Sequence, residues 1–249
     1  MKGIKYIYPL VLLGLFAIFT LMGDTLFRYR KPIAIAVVPK PQYTYLSPYV
    51  ELSHYDKHFR EAADTFGYDW TLIAAIAYTE SRFDSTVVSG VGACGVMQMM
   101  PRTLRGFGVP DSLHTDNRTN IMAAAKLLEA LEKQYRQITD KEERTKFVLA
   151  SYNAGFGHIL DAMRLAHKHG KDKHTWSENV DSFLIYKSKP EFFNDTLCRN
   201  GEFRDWKQTL AFVDKVQKTW KRFERKQKSY RDSIDSVVAK DPLKLIMQL

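Results

Sequence analysis

The segment that most constrains the fold is residues 70–101, which joins a predicted helix to a loop rich in glycine and methionine. Ile73, Ile76 and Ala77 follow the i, i+3, i+4 spacing of one helix face. Glu80 takes the next position on that apolar stripe. A carboxyl group on a buried face loses hydration, which raises its pKa. The sequence therefore predicts an amphipathic helix whose Glu can hold a proton near neutral pH.

The helix pattern alone leaves two interpretations of Glu80 open. It is either a general acid or a helix-end carboxylate that turns to water or pairs with Arg82. The loop that follows favours the first, because three glycines within residues 90–95 permit positive φ and close approach of a ligand. The Met-Gln-Met-Met run at 97–100 then surrounds one amide with apolar side chains, as a saccharide subsite does. A methionine-filled core loop is the structural alternative.

Two longer motifs include these residues. The first is Glu80-Ser81 followed by Ser89-x-x-Gly92-Ala93-x-Gly95-Val96-Met97-Gln98-Met99-Met100-Pro101-x-Thr103, and the second is Ala150-Ser151-Tyr152-Asn153-Ala154-Gly155-x-Gly157. Together they resemble the soluble lytic transglycosylase family, clearly over about residues 69 to 160 and more loosely to about 221. The looser similarity is to the membrane-bound lytic transglycosylase F type. The resemblance implies an all-α, mainly helical, lysozyme-like fold related to goose-type lysozyme.

The resemblance also implies an activity. The enzyme would be a peptidoglycan lytic transglycosylase, a lyase that cleaves the β-1,4 bond between N-acetylmuramic acid and N-acetylglucosamine without water. It would form 1,6-anhydromuramoyl ends, with Glu80 as the sole catalytic acid and base and with no cofactor. The substrate-binding residues implied are Ser81, Ser89, Met97, Gln98, Tyr152 and Asn153.

The residues themselves leave some of these roles open. By resemblance, Tyr152 orients Glu80 and the acetamido group of the substrate, although a core Tyr bonded to a backbone carbonyl fits the sequence equally. Asn153 has the character of a structural residue in the helix turn. Phe212 stands where the family often has Tyr, so a polar role at that position does not carry over.

Most glycosidases use two carboxylates, and here Glu80 has no obvious partner in the motifs. Asp84 is close in sequence, but it falls where the helix gives way to the loop. A single carboxyl suffices if the nucleophile belongs to the substrate. The alternatives are a goose-type-like muramidase that hydrolyses the same bond and a catalytically silent peptidoglycan-binding module.

The amino-terminal residues predict attachment to a membrane. Tyr6 to Gly23 are eighteen consecutive uncharged and mostly apolar positions, long enough for a span. We predict a signal anchor or signal peptide over 1–23. For cleavage after Gly23, Leu21 would occupy the −3 position, where signal peptides have a small residue, so an uncleaved anchor is the preferred interpretation. The location of the substrate then predicts an inner-membrane anchor with the catalytic domain in the periplasm.

The rest of the chain divides by composition. We predict a Pro-rich linker over 24–50, in which residues 33–38 allow an edge strand instead. A catalytic domain follows over 51–225, and a basic tail over 226–249. Residues 171–206 carry many aromatic side chains, which either wall one side of a glycan groove or form a satellite core.

The net charge of +9 is concentrated near the carboxyl terminus, where residues 215–231 hold eight Lys or Arg and one acid. A basic helix suits an anionic surface, such as phospholipid headgroups or a wall polymer, as well as it suits nucleic acid. A solvated helix face is the simplest interpretation. Because no nucleic-acid-binding motif is present, the predicted partners are glycan strands and the membrane, with the oligomeric state open.

Cysteine and histidine patterns predict little chemistry. Cys94 and Cys198 permit one disulfide outside the cytoplasm, and two free thiols are the alternative. His54 and His58 share a helix face but lack the Glu of the zinc-protease motif. We therefore predict no metal site.

Helix boundaries follow from capping signals. Asp69, Asp140 and either Asp116 or Asn117 are predicted to begin helices, and Pro101 to open a short one. Ser53 is predicted to begin an earlier helix that runs through Thr65 and closes at Gly67. Gly155 is predicted to be a left-handed cap, and a final helix to start near Lys207.

Overall fold

A computed structural model of the protein describes residues 44–240 and 244–246. The chain divides after Thr44 into two units, and the second contains the helices described here, residues 56–240. Apart from two three-residue strands that pair in a small sheet, the described elements are helices and helical turns. The prediction of a mainly helical domain is therefore confirmed. The elements are β1 (Thr44–Leu46), α1 (Asp56–Phe66), α2 (Trp70–Ser81), α3 (Pro101–Gly106), a 3₁₀ turn (Asp111–Leu113), α4 (Asn117–Gln134), α5 (Lys141–Ala154), α6 (Phe156–Lys168), a π-type turn (Trp176–Val180), α7 (Asp181–Tyr186), α8 (Pro190–Phe193), α9 (Trp206–Lys240) and β2 (Lys244–Ile246).

The predicted anchor over 1–23, most of the linker and the run at 33–38 lie outside the described residues. In the part of the chain that the structure does describe, no helix combines the length and apolar character needed to cross a bilayer.

Three aspartates begin helices as the sequence predicts. The Asp69 carboxylate accepts a hydrogen bond from the Thr71 amide at 2.7 Å and begins α2. Asp116 and Asp140 cap α4 and α5 in the same way. Each carboxylate satisfies an amide that lacks a partner in the first helical turn, which stabilises the helix by about 1 kcal/mol.

Two predicted helix boundaries are wrong. Helix α1 begins at Asp56 because that carboxylate accepts hydrogen bonds from the Leu52 and Ser53 amides and forms a turn before the helix. Gly155 has φ 89° and ψ 139°, which is outside the left-handed helical region. Its extended ψ lets α6 start at the next residue in a new direction.

Helix α2 is the centre of the core. Every residue from Trp70 to Ala77 is buried, so the prediction of an amphipathic helix is wrong for most of its length. The reason is tertiary, because α1 packs on one side of α2 and α9 packs along another. Small residues at Ala74, Ala75 and Ala77 let these neighbours approach closely, and all three are fully buried.

The buried side chains of the aromatic insertion at 171–206 join the main core and form no separate satellite core, and one buried carboxylate attaches the insertion there. Asp161 and Lys187 are fully buried and form an ion pair at 2.7 Å. Asp161 also accepts hydrogen bonds from the backbone amides of Arg199 and Asn200 and from the Asn200 side chain. Trp176 packs edge-on against Phe147 of α5, with ring centroids 5.4 Å apart.

Candidate active site

Glu80 lies in the last turn of α2 and keeps part of its surface open to solvent. Burial raises the pKa of Glu80 from its usual 4.5 to about 8, and no hydrogen bond or charge from the described residues opposes this shift. At pH 7 the carboxyl group is therefore mostly protonated. A protonated acid that is both sheltered and reachable can donate to a ligand oxygen.

Ser81 connects α2 to the glycine loop. It is buried, and its hydroxyl donates to the backbone carbonyl of Val96 at 2.8 Å. Within the loop, Cys94 and Met99 exchange two backbone hydrogen bonds of 3.1 and 3.0 Å, which closes a tight turn. Because Ser81 is buried and its hydroxyl already donates to the Val96 carbonyl, its contact in this structure is with the loop, which it holds in position.

Asn120 fixes the same loop from the side of α4. Its side-chain oxygen accepts from the Met97 amide at 2.9 Å, and its nitrogen donates to the carbonyls of Cys94 and His114. A Cβ atom at Gly95 would lie 2.5 Å from the Asn120 amide nitrogen, so this approach requires glycine. Sequence reasoning missed Asn120, although an Asn beside the apolar stripe of α4 was a usable signal.

Tyr152 lies near the end of α5 beside the loop. Its hydroxyl donates to the Met97 carbonyl at 2.8 Å, and its ring stacks on Phe212 with centroids 6.3 Å apart. Burial, and then the charge of Glu80, raise the pKa of Tyr152 well above 10. Tyr152 is thus neutral and partly buried, and its hydroxyl is bonded to a backbone carbonyl.

Of the other predicted ligand-binding residues, Gln98 and Ser89 stabilise turns, whereas the Met97 side chain is fully buried in the core. The Gln98 side-chain nitrogen donates to the carbonyls of Val87 and Gly95 at 2.8 and 3.0 Å, and its own backbone has φ 46°. The Ser89 hydroxyl accepts from the Ala93 amide at 2.9 Å. Both side chains remain partly exposed.

Asn153 and the residues that precede α9 form a cavity of about 530 Å³ beside the α5–α6 turn. The Asn153 side-chain oxygen accepts from the Thr209 hydroxyl at 2.8 Å, and Phe203 packs on His158 with centroids 4.6 Å apart. Glu80 is not among the lining residues. The cavity is lined by Val91, Asn153, Ala154, His158, Glu202, Phe203, Arg204, Asp205, Gln208 and Thr209.

Comparison with known protein families identifies the domain that holds this geometry. Residues 57–175 match the family model of the transglycosylase SLT domain. This segment belongs to the transglycosylase SLT family. The SLT domain contains Glu80, the glycine loop, Asn120, Tyr152 and Asn153, whereas α7, α8 and α9 follow the matched residues.

Relatives of the SLT domain are longer proteins. The chain is 35% identical over 148 residues to membrane-bound lytic murein transglycosylase F of Desulfosudis oleivorans. The aligned residues are 59% of this chain and 32% of the relative. It is 37% identical over 154 residues to the protein of the same name from Pseudomonas syringae pv. syringae, covering 61% and 30%. The match thus spans about a third of the length of these curated relatives.

One solved structure similar to this chain is the 70 kDa soluble lytic transglycosylase of Escherichia coli. It aligns with a TM-score of 0.47 and 22% identity, over 69% of this chain and 24% of the solved chain.

In the SLT domain and its carboxyl-terminal extension, the two cysteines are free. The Cys94 thiol is buried near the Met99 and His114 carbonyls, and the Cys198 thiol donates to the Phe192 carbonyl. The structure therefore has the two free thiols that the sequence leaves as the alternative to a disulfide. Across residues 44–240 and 244–246, no cluster of three metal-binding side chains occurs.

Proposed function

We propose that this protein is a peptidoglycan lytic transglycosylase that cleaves the β-1,4 bond between N-acetylmuramic acid and N-acetylglucosamine. Membership of the SLT family and the names of its relatives support the reaction class. The observation that carries the proposal is the carboxyl group of Glu80, whose pKa burial raises to about 8. Such a group is an acid at the pH at which the reaction would take place.

In the proposed reaction, Glu80 donates its proton to the glycosidic oxygen as the bond from that oxygen to the muramoyl anomeric carbon breaks. The resulting carboxylate then accepts the proton of the muramoyl 6-hydroxyl while that oxygen bonds to the anomeric carbon. A 1,6-anhydro ring forms, the second fragment leaves with a free hydroxyl, and Glu80 is protonated again. No water is consumed, so a second catalytic carboxylate is not required.

The neighbouring carboxylate has a different environment. Asp84 is exposed and accepts hydrogen bonds from the Thr86 amide and hydroxyl at 2.9 and 2.7 Å, and these lower its pKa. It would remain charged at neutral pH and already has a local structural role. This supports Glu80 as the only acid and base.

The test is to digest intact peptidoglycan with the wild-type protein, Glu80→Gln and Asp84→Asn, and to analyse the released muropeptides by mass spectrometry. We expect Glu80→Gln to lose roughly 100- to 10,000-fold in rate, the usual contribution of general acid–base catalysis. Asp84→Asn is the matched control, since it makes the same carboxyl-to-amide change outside the site. Comparable release by the Gln variant would remove Glu80 from its role.

The products separate lytic cleavage from hydrolysis. A lytic enzyme leaves 1,6-anhydro ends, and a muramidase leaves reducing ends that are heavier by one water. Reducing ends would reassign the protein as a goose-type-like muramidase. Binding to insoluble peptidoglycan without release of any muropeptide would indicate a catalytically silent module.

We also propose that residues 1–23 anchor the protein in the inner membrane, with the SLT domain in the periplasm. The apolar run from Tyr6 to Gly23 and the membrane-bound designation of the relatives support this location. A reporter that is active only in the periplasm, fused after residue 249, is expected to be active. An inactive but stable fusion would place the domain on the other side.

A further inference from the structure

The exposed side of α9 carries a row of positive charges. Its buried side includes Phe212, Val216 and Phe223. We call this row the cationic face, and it lies away from the buried side. Its successive members are three, four, three and one residues apart, and all of them are exposed. It consists of Lys215, Lys218, Arg222, Arg225 and Lys226.

Few of these charges are neutralised. Among the described residues, Lys218 alone of the five has an acidic partner, Asp214 at 2.7 Å. The Arg225 guanidinium and the Lys226 ammonium donate to the backbone carbonyls of Lys221 and Glu51, which carry no net charge. The cationic face therefore presents uncompensated charge to solvent.

The guanidinium group of Arg82, the residue that follows α2, extends the face. The Arg222 and Arg82 guanidinium carbons lie 5.1 and 4.4 Å from the centre of the Tyr78 ring. Each guanidinium is attracted to the Tyr78 ring, so the ring holds two positive charges close together at the surface, where one anion can approach both. Planar guanidinium groups bind phosphate oxygens well, because two of their N–H groups point the same way.

The face lies where the chain arrives from its amino-terminal segment. The Gln227 side chain donates to the Pro48 carbonyl at 2.8 Å and accepts from the Val50 amide at 3.0 Å. These contacts fix residues 48–50 to the same turn of α9 that carries Arg225 and Lys226. The linker from a membrane-attached amino-terminal segment would therefore join the domain beside the cationic face.

We propose that the cationic face of α9, together with Arg82, binds the anionic phospholipid headgroups of the membrane that holds the amino-terminal segment. This rests on the membrane attachment proposed above and not on the catalytic reaction. Tethering raises the effective concentration of headgroups at the face, so moderate charge attraction suffices to hold it there. Docking would hold the domain against the membrane surface rather than let it move at the full length of the linker.

The experiment uses the full chain reconstituted into vesicles, with a protease site inserted between Lys40 and Pro41. One set of vesicles is phosphatidylcholine alone, and the other is equal parts phosphatidylcholine and phosphatidylglycerol. After cleavage, flotation measures the fraction of released domain that stays with the vesicles. We expect retention on the anionic vesicles at low salt, release on raising the salt, and release from the neutral vesicles.

The variant is K215Q/K218Q/R225Q, which avoids the stacked arginines and the contacts of Lys226. Loss of three charges near an anionic surface is expected to weaken partitioning roughly 100-fold. The matched control is R136Q/K171Q/K173Q, which removes the same charge from exposed positions elsewhere and is expected to keep retention unchanged. Thermal unfolding of both variants verifies that they are folded.

Equal retention of the two triple variants would overturn the proposal. Equal retention of the wild-type domain on neutral and on anionic vesicles would also overturn it. Binding of the released domain to purified anionic wall polymer in preference to the anionic vesicles would also overturn it. Muropeptide release is measured in parallel on detergent-solubilised protein, where docking has no role. If the wild-type domain is not retained on anionic vesicles but muropeptides are released normally, the docking proposal alone fails. If the domain is retained but no muropeptides are released, the proposed function alone fails.

Discussion

Glu80 and Asp161 are both carboxyl groups placed inside helices of one domain, and the fold treats them in opposite ways. Glu80 receives no hydrogen bond or ion pair from the described residues, and burial raises its pKa to about 8. Asp161 is more deeply buried, yet Lys187, Asn200 and Arg199 donate to it, and these donors lower its pKa in spite of burial. Burial therefore does not determine the charge of a carboxyl group, because the donors around it can outweigh desolvation.

The difference also separates the two parts of the domain. Glu80 lies within the SLT match, whereas Lys187, Arg199 and Asn200, which donate to Asp161 alongside Arg164, come after the end of the match. The first region keeps a carboxyl group free for chemistry. The second uses one to attach an insertion to the helical core. Four predictions test this contrast.

The largest effect is expected for Asp161→Ala. It leaves the Lys187 ammonium buried without its partner and removes the acceptor of two backbone amides. We expect a loss of about 3–5 kcal/mol in the free energy of unfolding, measured with urea. Asp172→Ala, which removes an exposed carboxylate with local hydrogen bonds, is the control and should cost about 1 kcal/mol or less. A loss of stability smaller than that of the control would show that the Asp161–Lys187 ion pair does not hold the insertion on the core.

The pH dependence of activity comes next. An acid with a pKa of about 8 is protonated below that pH, so kcat/KM is expected to be level from pH 6 to about 8 and to fall roughly tenfold per unit above it. The measurement is the rate of muropeptide release in constant ionic strength buffers. A decline centred near the usual Glu value of 4.5 would mean that Glu80 is not held protonated.

A smaller effect is expected for the stability of Glu80→Gln. The folded pKa of about 8 exceeds the unfolded value of 4.5, so the folded state binds more protons between these values and loses stability as pH rises through that window. The Gln variant lacks this loss. Since the carboxyl group is partly solvated, we expect the variant to be roughly 2 kcal/mol more stable than wild type at pH 9.

At pH 4, where the carboxyl group is protonated in both states, the two proteins should have about the same stability. Urea unfolding at the two pH values measures the difference. An equal gain at both would point to packing rather than charge, and no gain at either would contradict the raised pKa of Glu80.

The smallest effect is expected for Tyr152→Phe. It removes the hydrogen bond to the Met97 carbonyl, which should cost about 1 kcal/mol of stability. Desolvation alone raises the pKa of Glu80, so the decline of activity near pH 8 should stay in place. A shift in that pH by one unit or more would instead give Tyr152 the orienting role that the resemblance implies.

Much of the local structure could be predicted because its causes are local. Asp69, Asp116 and Asp140 cap the helices that follow them, since each carboxylate reaches an amide two or three residues away. Ser53 shows where this reasoning fails, because the competing carboxylate of Asp56 holds the preceding amides. The aromatic insertion could be recognised by composition, but its attachment to Asp161 depends on contacts between residues far apart in the chain.

The sequence by itself determined where several helices begin and that Glu80 lies in one of them, because periodicity and capping act over a few residues. Its motifs carried the resemblance that implied the helical class. The tertiary structure decided that α2 is buried on almost every side, that Asn120 and Ser81 hold the glycine loop, and that Cys94 and Cys198 are free thiols. It also decided the charge of each buried carboxyl group. The physical reason is that desolvation and hydrogen bonding depend on every neighbour in space, and most of these neighbours are distant in the chain.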